Sequence, residues 1–304
     1  VSLFLYGSLD SIGIGLAMAS LLLGFGWGLT YSLGPIVLTR LVNAEDRVRY
    51  FTLLSVFVMG GFGLAPVFAS LLENAGFSVR DAFYATAVSC IASAILFFVL
   101  DGPIKANAIN PRPELASRIT LAALSGVISS RAILPIIMVC LGASFFAGMS
   151  NFQTVFADAR GLDYANFFLT YTITVVAFRL LLARFKGGRN PYRTIALLQY
   201  VMFLSVIVFL FSGSSASLYV VVAVLFGIGY GVSYPILVAV TANDAHEDLS
   251  AQTLQVFALT YFVGIFGFPL VAGWMIVEVG TGALMVFIAV LALIEATLAL
   301  RRSL

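Results

Sequence analysis

Two charged side chains lie well inside long apolar runs of this sequence: Arg179 in "FRLLLARF" and Glu295 in "ALIEATLAL". A carboxyl group there can take up and release a proton, and a guanidinium there can close an ion pair. Ionisable groups at membrane depth are costly, so each is a candidate functional residue by default. Each also has a plainer reading. Arg179 sits one to two turns from the end of its run and can snorkel to the interface. Glu295 lies about two turns before Arg301 and can form a structural ion pair or snorkel likewise. Two amides, Asn151 and Gln153, interrupt another apolar run, and Ser144 shares a face with Asn151. An amide both donates and accepts hydrogen bonds. The pair therefore suits either a neutral polar ligand or a hydrogen bond between helices. His246, in "NDAHEDLS", reads as a solvated loop residue, and Cys90 and Cys140 as apolar filler. The sequence holds no GxSxG, HExxH, CxxC or P-loop pattern, so it offers no catalytic set, no metal site and no cofactor site, and an enzyme is not expected.

The elements that must position these residues follow from composition. Of 304 residues, 61% are apolar and 10% charged, with a mean hydropathy of +1.07. A soluble chain carries about 25% charged residues. The surrounding medium is therefore the lipid bilayer, and the fold class is all-α, a polytopic transmembrane helical bundle. A spanning helix needs about 20 mostly apolar residues. Nine complete spans are expected at 12–39, 50–72, 81–100, 132–157, 164–185, 192–212, 216–242, 251–277 and 281–300, with 1–9 as the tail of another. The longest non-spanning segment, 101–131, holds Lys105, Arg112, Arg118 and Arg131 with Pro103, Pro111 and Pro113. It reads as a linker, and its second half as a short interfacial amphipathic helix. Thirteen Lys and Arg fall on the linker's side of the spans, against Arg80 and Arg160 on the other. That bias places the linker and the C-terminus in the cytoplasm. A net charge of +2 gives no footprint for nucleic acid.

The glycines carry a repeat. Residues 24–31 read "GFGWGLTY" and residues 227–234 read "GIGYGVSY", 203 positions on. Upstream, "FLYGS" (4–8) parallels "FLFSG" (209–213); downstream, "GGFGLAP" (60–66) parallels "VGIFGFP" (263–269). Residues three and four apart share a helix face. Gly24, Trp27, Gly28 and Tyr31 thus form one stripe, and Gly227, Tyr230, Gly231 and Tyr234 form its counterpart, with Gly26 and Gly229 roughly opposite. Small residues let a neighbouring backbone approach closely in lipid. Plain helix packing and an aromatic-lined cavity both fit this stripe.

Two copies of one bundle in the same order and orientation mark one class of transporter architecture. In this the chain resembles the major facilitator superfamily, over essentially its whole length. More narrowly, "NFQTVFADARGL", "FRLLLARF" and "GIGYGVSYPI" resemble the branch often labelled arabinose-efflux-permease-like. The resemblance implies two six-helix halves, with 1–100 a partial N-terminal bundle of a stub and three helices, 101–131 the cytoplasmic linker and 132–304 the C-terminal six-helix bundle. About 95 residues separate the linker from Gly227 but 23 precede Gly24, so on the order of 70 residues, two helices and most of a third, are expected to be missing from a fragment that opens on Val1. The resemblance makes 12–39 and 216–242 the fourth and tenth helices, so that Trp27, Tyr31, Tyr230 and Tyr234 with Asn151 and Gln153 would line a substrate cavity. Gly24, Gly28, Gly227, Gly231 and Arg179 would serve helix packing and gating, and Glu295 would be the coupling candidate. Arg179 falls in the second copy of the family's gating loop, which here lacks the usual acid. "GGFGLAP" departs from the family's antiporter motif in reading Ala65-Pro66 for Gly-Pro, and leans weakly to export. The implied function is secondary active transport of a small solute by alternating access, as a proton-coupled exporter. It would be a monomer in a plasma membrane, in keeping with a bacterial inner membrane. A non-transporting membrane sensor and a membrane-embedded enzyme are the alternatives.

Overall fold

The computed structural model describes residues 1–9, 11, 13–109, 119–182 and 190–304, and among these there are helices and no strands. In chain order the helices are α1 (Ser2–Ser8), α2 (Ile14–Leu41), α3 (Arg47–Asn74), α4 (Val79–Ala106), α5 (Leu121–Ser129), α6 (Ile133–Ala159), α7 (Tyr164–Leu182), α8 (Pro191–Phe211), α9 (Ala216–Asp244), α10 (Ser250–Phe262), α11 (Phe268–Glu278) and α12 (Thr281–Ser303). A single π turn, Val263–Gly267, joins α10 to α11. Counted with that turn as one segment, nine long helical segments stand where the nine apolar spans are expected. Among the described residues, seven helical segments, α10 through α11 counted as one, are long and apolar enough to cross a membrane. The protein is an all-α polytopic bundle.

Local chemistry sets the helix starts. Ser78 and Asp81 close a capping box at α4, the Asp81 carboxylate accepting from the Ser78 amide at 2.8 Å. Asn190 caps α8 ahead of Pro191 at its first turn, Ser215 caps α9, and Thr120 caps α5. Such caps satisfy amides that have no partner within the helix. At the far end of α6, Gly161 turns the chain with φ +66°, a conformation that side chains with a Cβ resist. In the second half of 101–131 stands α5, a short helix with Ala123 and Val127 buried. Arg112, Arg118, Pro111 and Pro113 lie outside the described residues.

The repeat recurs in the elements. Helix α2 begins at 14 and α9 at 216; single 3-10 turns follow at Ala44–Asp46 and Glu247–Leu249; α3 and α10 begin at 47 and 250, and α4 and α12 at 79 and 281. The spacing stays at 202 or 203 residues throughout. One difference is the π turn, where α3 runs on as α-helix. The π turn lies against α6: a Cβ on Gly264 would stand 2.7 Å from the Cys140 carbonyl oxygen. The close approach of two backbones and the local unwinding thus coincide.

Contacts divide the chain into two compact units, Val1–Leu41 with Gly61–Pro113 and Val42–Gly60 with Glu114–Leu304. The first half of α3 packs with the second unit. In the first unit α1 lies on α2 and α4: Ser2 Oγ donates to the Ala19 carbonyl at 2.6 Å, and Phe4 meets Tyr84 at 5.6 Å between ring centroids. In the second unit α8 packs on α9 and α12, and α6 and α7 complete a core that includes Phe145, Phe167, Met202, Phe226, Ile288 and Ala292.

Candidate functional site

The second glycine motif works as a clamp between two helices. A Cβ on Gly227 would lie 2.9 Å from Thr174, and one on Gly231 would lie 2.5 Å from Val175, both on α7. A Cβ on Gly229 would lie 2.7 Å from the Met202 backbone nitrogen on α8. Glycine at alternate positions therefore lets α9 close on α7 with one face and on α8 with the other. In the first unit Gly24 and Gly26 have nothing within 4 Å, Gly28 and Tyr31 are half-buried, and Trp27 is exposed.

Between the clamped faces, the tyrosines of α9 belong to an aromatic cluster. Tyr230 stacks on Phe146 of α6 at 4.6 Å between centroids, and Tyr234 stands against Tyr261 and Phe257 of α10 at 5.4 and 6.0 Å. Tyr230 is buried and Tyr234 half-buried. Both line a narrow cleft with Gln199, Ser233, Gly142 and Glu295, which holds no room for a water.

Glu295 neither snorkels nor pairs with Arg301. Its side chain is fully buried, and its one hydrogen bond among the described residues comes from Gln199 Nε2 at 2.8 Å to Oε1. The same Nε2 donates to Ser233 Oγ at 3.1 Å, and Ser233 donates to the Tyr230 carbonyl at 3.2 Å. A polar chain thus runs from α12 through α8 to α9. It fits here because Gly142 on α6 has no side chain: a Cβ there would meet Glu295 Oε2 at 3.0 Å.

Arg179 is also fully buried rather than snorkelled. Its Nε donates to the Gly231 carbonyl and its Nη1 to the Ser55 carbonyl at 2.9 Å. From α7 it therefore fastens the first half of α3 to α9. At one end of this unit Arg47 Nη1 donates to the Ala242 carbonyl and to Asn243 Oδ1, at 3.0 and 2.7 Å, tying the same two helices again. The rest of the expected gating loop, 183–189, lies outside the described residues.

The two amides do not join this cleft. Asn151 is exposed, and its Nδ2 donates to the Ala147 carbonyl one turn back at 2.9 Å. Gln153 is buried and accepts from the Tyr219 hydroxyl of α9. It makes the hydrogen bond between helices that was its alternative reading. The structure thus brings together Tyr230, Tyr234, Glu295, Gly227, Gly231 and Arg179 around α9 and leaves Asn151 and Gln153 away from them. Gln199 escaped the sequence reading. Gln199 had the same signal as Gln153, an amide inside the apolar run "IALLQYVMF".

No curated protein matches the chain. The family model described as Major Facilitator Superfamily matches residues 1–269. That match covers most of the 304 residues, both glycine motifs and the π turn. Taken with the all-α bundle, the chain belongs to the major facilitator superfamily, a family of membrane transporters.

Proposed function

We propose that the protein is a secondary active transporter that exports a small, neutral polar solute by alternating access, with protons as the coupling ion and Glu295 as the group that carries them. One observation carries the reading: the cavity-facing candidates of α9, Tyr230 and Tyr234, share a cleft with the buried carboxyl of Glu295. Substrate and proton would then act on the same helix.

Arg179 fits a gating role, since it holds α3 and α9 together through backbone carbonyls. The chain is read as one segment of a longer transporter with the linker and C-terminus in the cytoplasm of a bacterial inner membrane. The open surroundings of Gly24 and Gly26, against the packed ones of Gly227 and Gly229, support further helices in the first half. The export direction rests on the partial antiporter motif around Ala65-Pro66 alone.

The experiment is counterflow of radiolabelled arabinose in proteoliposomes carrying the complete transporter, with and without an imposed pH gradient. Gradient-driven accumulation that disappears in Glu295→Gln, while counterflow continues, is expected. Accumulation that persists in Glu295→Gln overturns Glu295 as the coupling group. Accumulation without any response to the gradient overturns proton coupling.

A further inference from the structure

Gln199 and Glu295 each carry one buried oxygen with no hydrogen-bond partner: Gln199 Oε1 and Glu295 Oε2. Buried polar atoms are nearly always satisfied, so two orphans on adjacent side chains need an explanation. An ionised carboxylate offers acceptors alone, and the amide oxygen is an acceptor too. Written with an ionised Glu295, the cluster has two acceptors and nothing between them. The other polar atoms are in order. Both hydrogens of the Gln199 amide are placed, one on Glu295 Oε1 at 2.8 Å and one on Ser233 Oγ at 3.1 Å. The Ser233 hydroxyl is placed on the Tyr230 carbonyl.

A water cannot supply the missing donor, because the cleft has no room for one. Among the described residues, neither can a cation from the protein. Among the described residues, the polar side chains that line the cleft with Glu295 are Gln199 from α8 and Ser233, Tyr230 and Tyr234 from α9, while α6 presents Gly142 and apolar neighbours. Among these only the two tyrosines titrate. Arg179 is spent on the far face of α9, and Arg302, at the end of the same helix as Glu295, is engaged with Asp244 at 3.7 Å.

We infer that Glu295 and Gln199 form a closed acid–amide pair that holds one proton, with Gln199 as the positioning residue that links this proton to α9. The proton resides on Glu295 Oε2 and is donated to Gln199 Oε1, while Gln199 Nε2 donates back to Glu295 Oε1. One added proton satisfies both orphaned oxygens and leaves every other bond in place. The conformation with α9 seated against α8 is thereby the proton-loaded one. Removing the proton sets two acceptors against each other, opens the pair and disturbs the Gln199–Ser233 bond that ties α8 to α9. The inference rests on the reading of Glu295 as the proton carrier, but its test needs no substrate.

The test is infrared difference spectroscopy of the full chain in lipid bilayers, between neutral and strongly alkaline buffer, in H2O and in D2O. A carboxylic-acid C=O band that shifts on deuteration and is lost in Glu295→Gln is expected. In Gln199→Met that band should persist but move to higher wavenumber, because its carbonyl loses the amide donor. In Glu295→Asp, whose shorter side chain cannot close the pair, an acid band should lie near that of Gln199→Met. A neutral-pH spectrum unchanged by Glu295→Gln overturns the inference, since Glu295 is then ionised. A band that Gln199→Met leaves in place overturns the pairing. An intact, Gln199-sensitive band beside transport that ignores the pH gradient would defeat the coupled-transport reading and leave the pair standing.

Discussion

Gly26 and Gly229 occupy the same place in the repeated motif, and alanine should have opposite effects at the two. At Gly229 the added methyl would lie 2.7 Å from the Met202 nitrogen and 2.8 Å from its Cα. Both are backbone atoms of α8, so no rotamer change relieves the clash. Ordinary contact begins near 3.4 Å, so α8 and α9 must part locally by about 0.7 Å. Overpacking of this kind costs ~1–3 kcal/mol. The parting also stretches the Gln199–Ser233 bond between the same helices, worth ~1 kcal/mol. Against these stands the helix preference of alanine over glycine, ~1 kcal/mol. Gly229→Ala should therefore be destabilising by a net ~1–3 kcal/mol. At Gly26 nothing stands within 4 Å, so only the preference remains and Gly26→Ala should be neutral or stabilising by up to ~1 kcal/mol. Unfolding of residues 1–304 in bicelles with increasing denaturing detergent, followed by circular dichroism, measures both. A Gly229→Ala protein as stable as the parent would refute the clamp. A Gly26→Ala protein as impaired as Gly229→Ala would refute the contrast between the two copies.

Further outcomes follow from the other contacts. Arg179→Gln removes the two donors that fasten α3 to α9, so Ser55→Cys in that background should react faster with an aqueous thiol reagent than Ser55→Cys alone; equal rates would remove Arg179 from the gate. Tyr234→Phe in the complete transporter should weaken a polar solute by ~0.5–1.5 kcal/mol, read as a 2- to 13-fold rise in the half-saturating concentration for counterflow, and an unchanged value would take the hydroxyl out of the substrate site. Asp244→Asn loses a partly exposed 3.7 Å pair with Arg302 and weakens the 2.6 Å hydrogen bond accepted from the Tyr192 hydroxyl, and should lower stability by ~1–2 kcal/mol in the same unfolding assay. Asn110→Cys in intact cells should resist a membrane-impermeant thiol reagent added outside; ready labelling would reverse the orientation drawn from the basic residues.

Most of the fold was legible because it rests on one-dimensional signals. Apolar run length sets the helices, and Ser78, Asn190 and Ser215 start three of them with side chains that announce themselves as caps. The repeat was legible for the same reason: glycine, aromatic and proline spacings survive as letters, and the structure returns them as helix starts and 3-10 turns at one spacing. The π turn was not legible. It depends on where the Gly264 backbone meets α6, and "VGIFG" alone does not state that its neighbour is another backbone.

The site was legible in kind but not in grouping. An intramembrane polar residue declares itself by cost, which is why Glu295, Arg179, Asn151 and Gln153 stood out. Which of them share a space is decided by helix rotation, and a rotation of one residue, about 100°, separates the cleft from the lipid. Glu295 illustrates the point. Its two-turn distance from Arg301 along α12 suggested an ion pair, yet the helix turns the acid inward to Gln199, 96 positions away in sequence. Gly142 makes that orientation feasible, since any side chain there would crowd Glu295 Oε2. Arg179 follows the same rule: one turn inside the end of α7, it turns to α3 and α9 rather than to the interface, and its acceptors are main-chain carbonyls that no sequence motif records. The hydrogen bonds that position these two side chains thus run to an amide and to main-chain carbonyls.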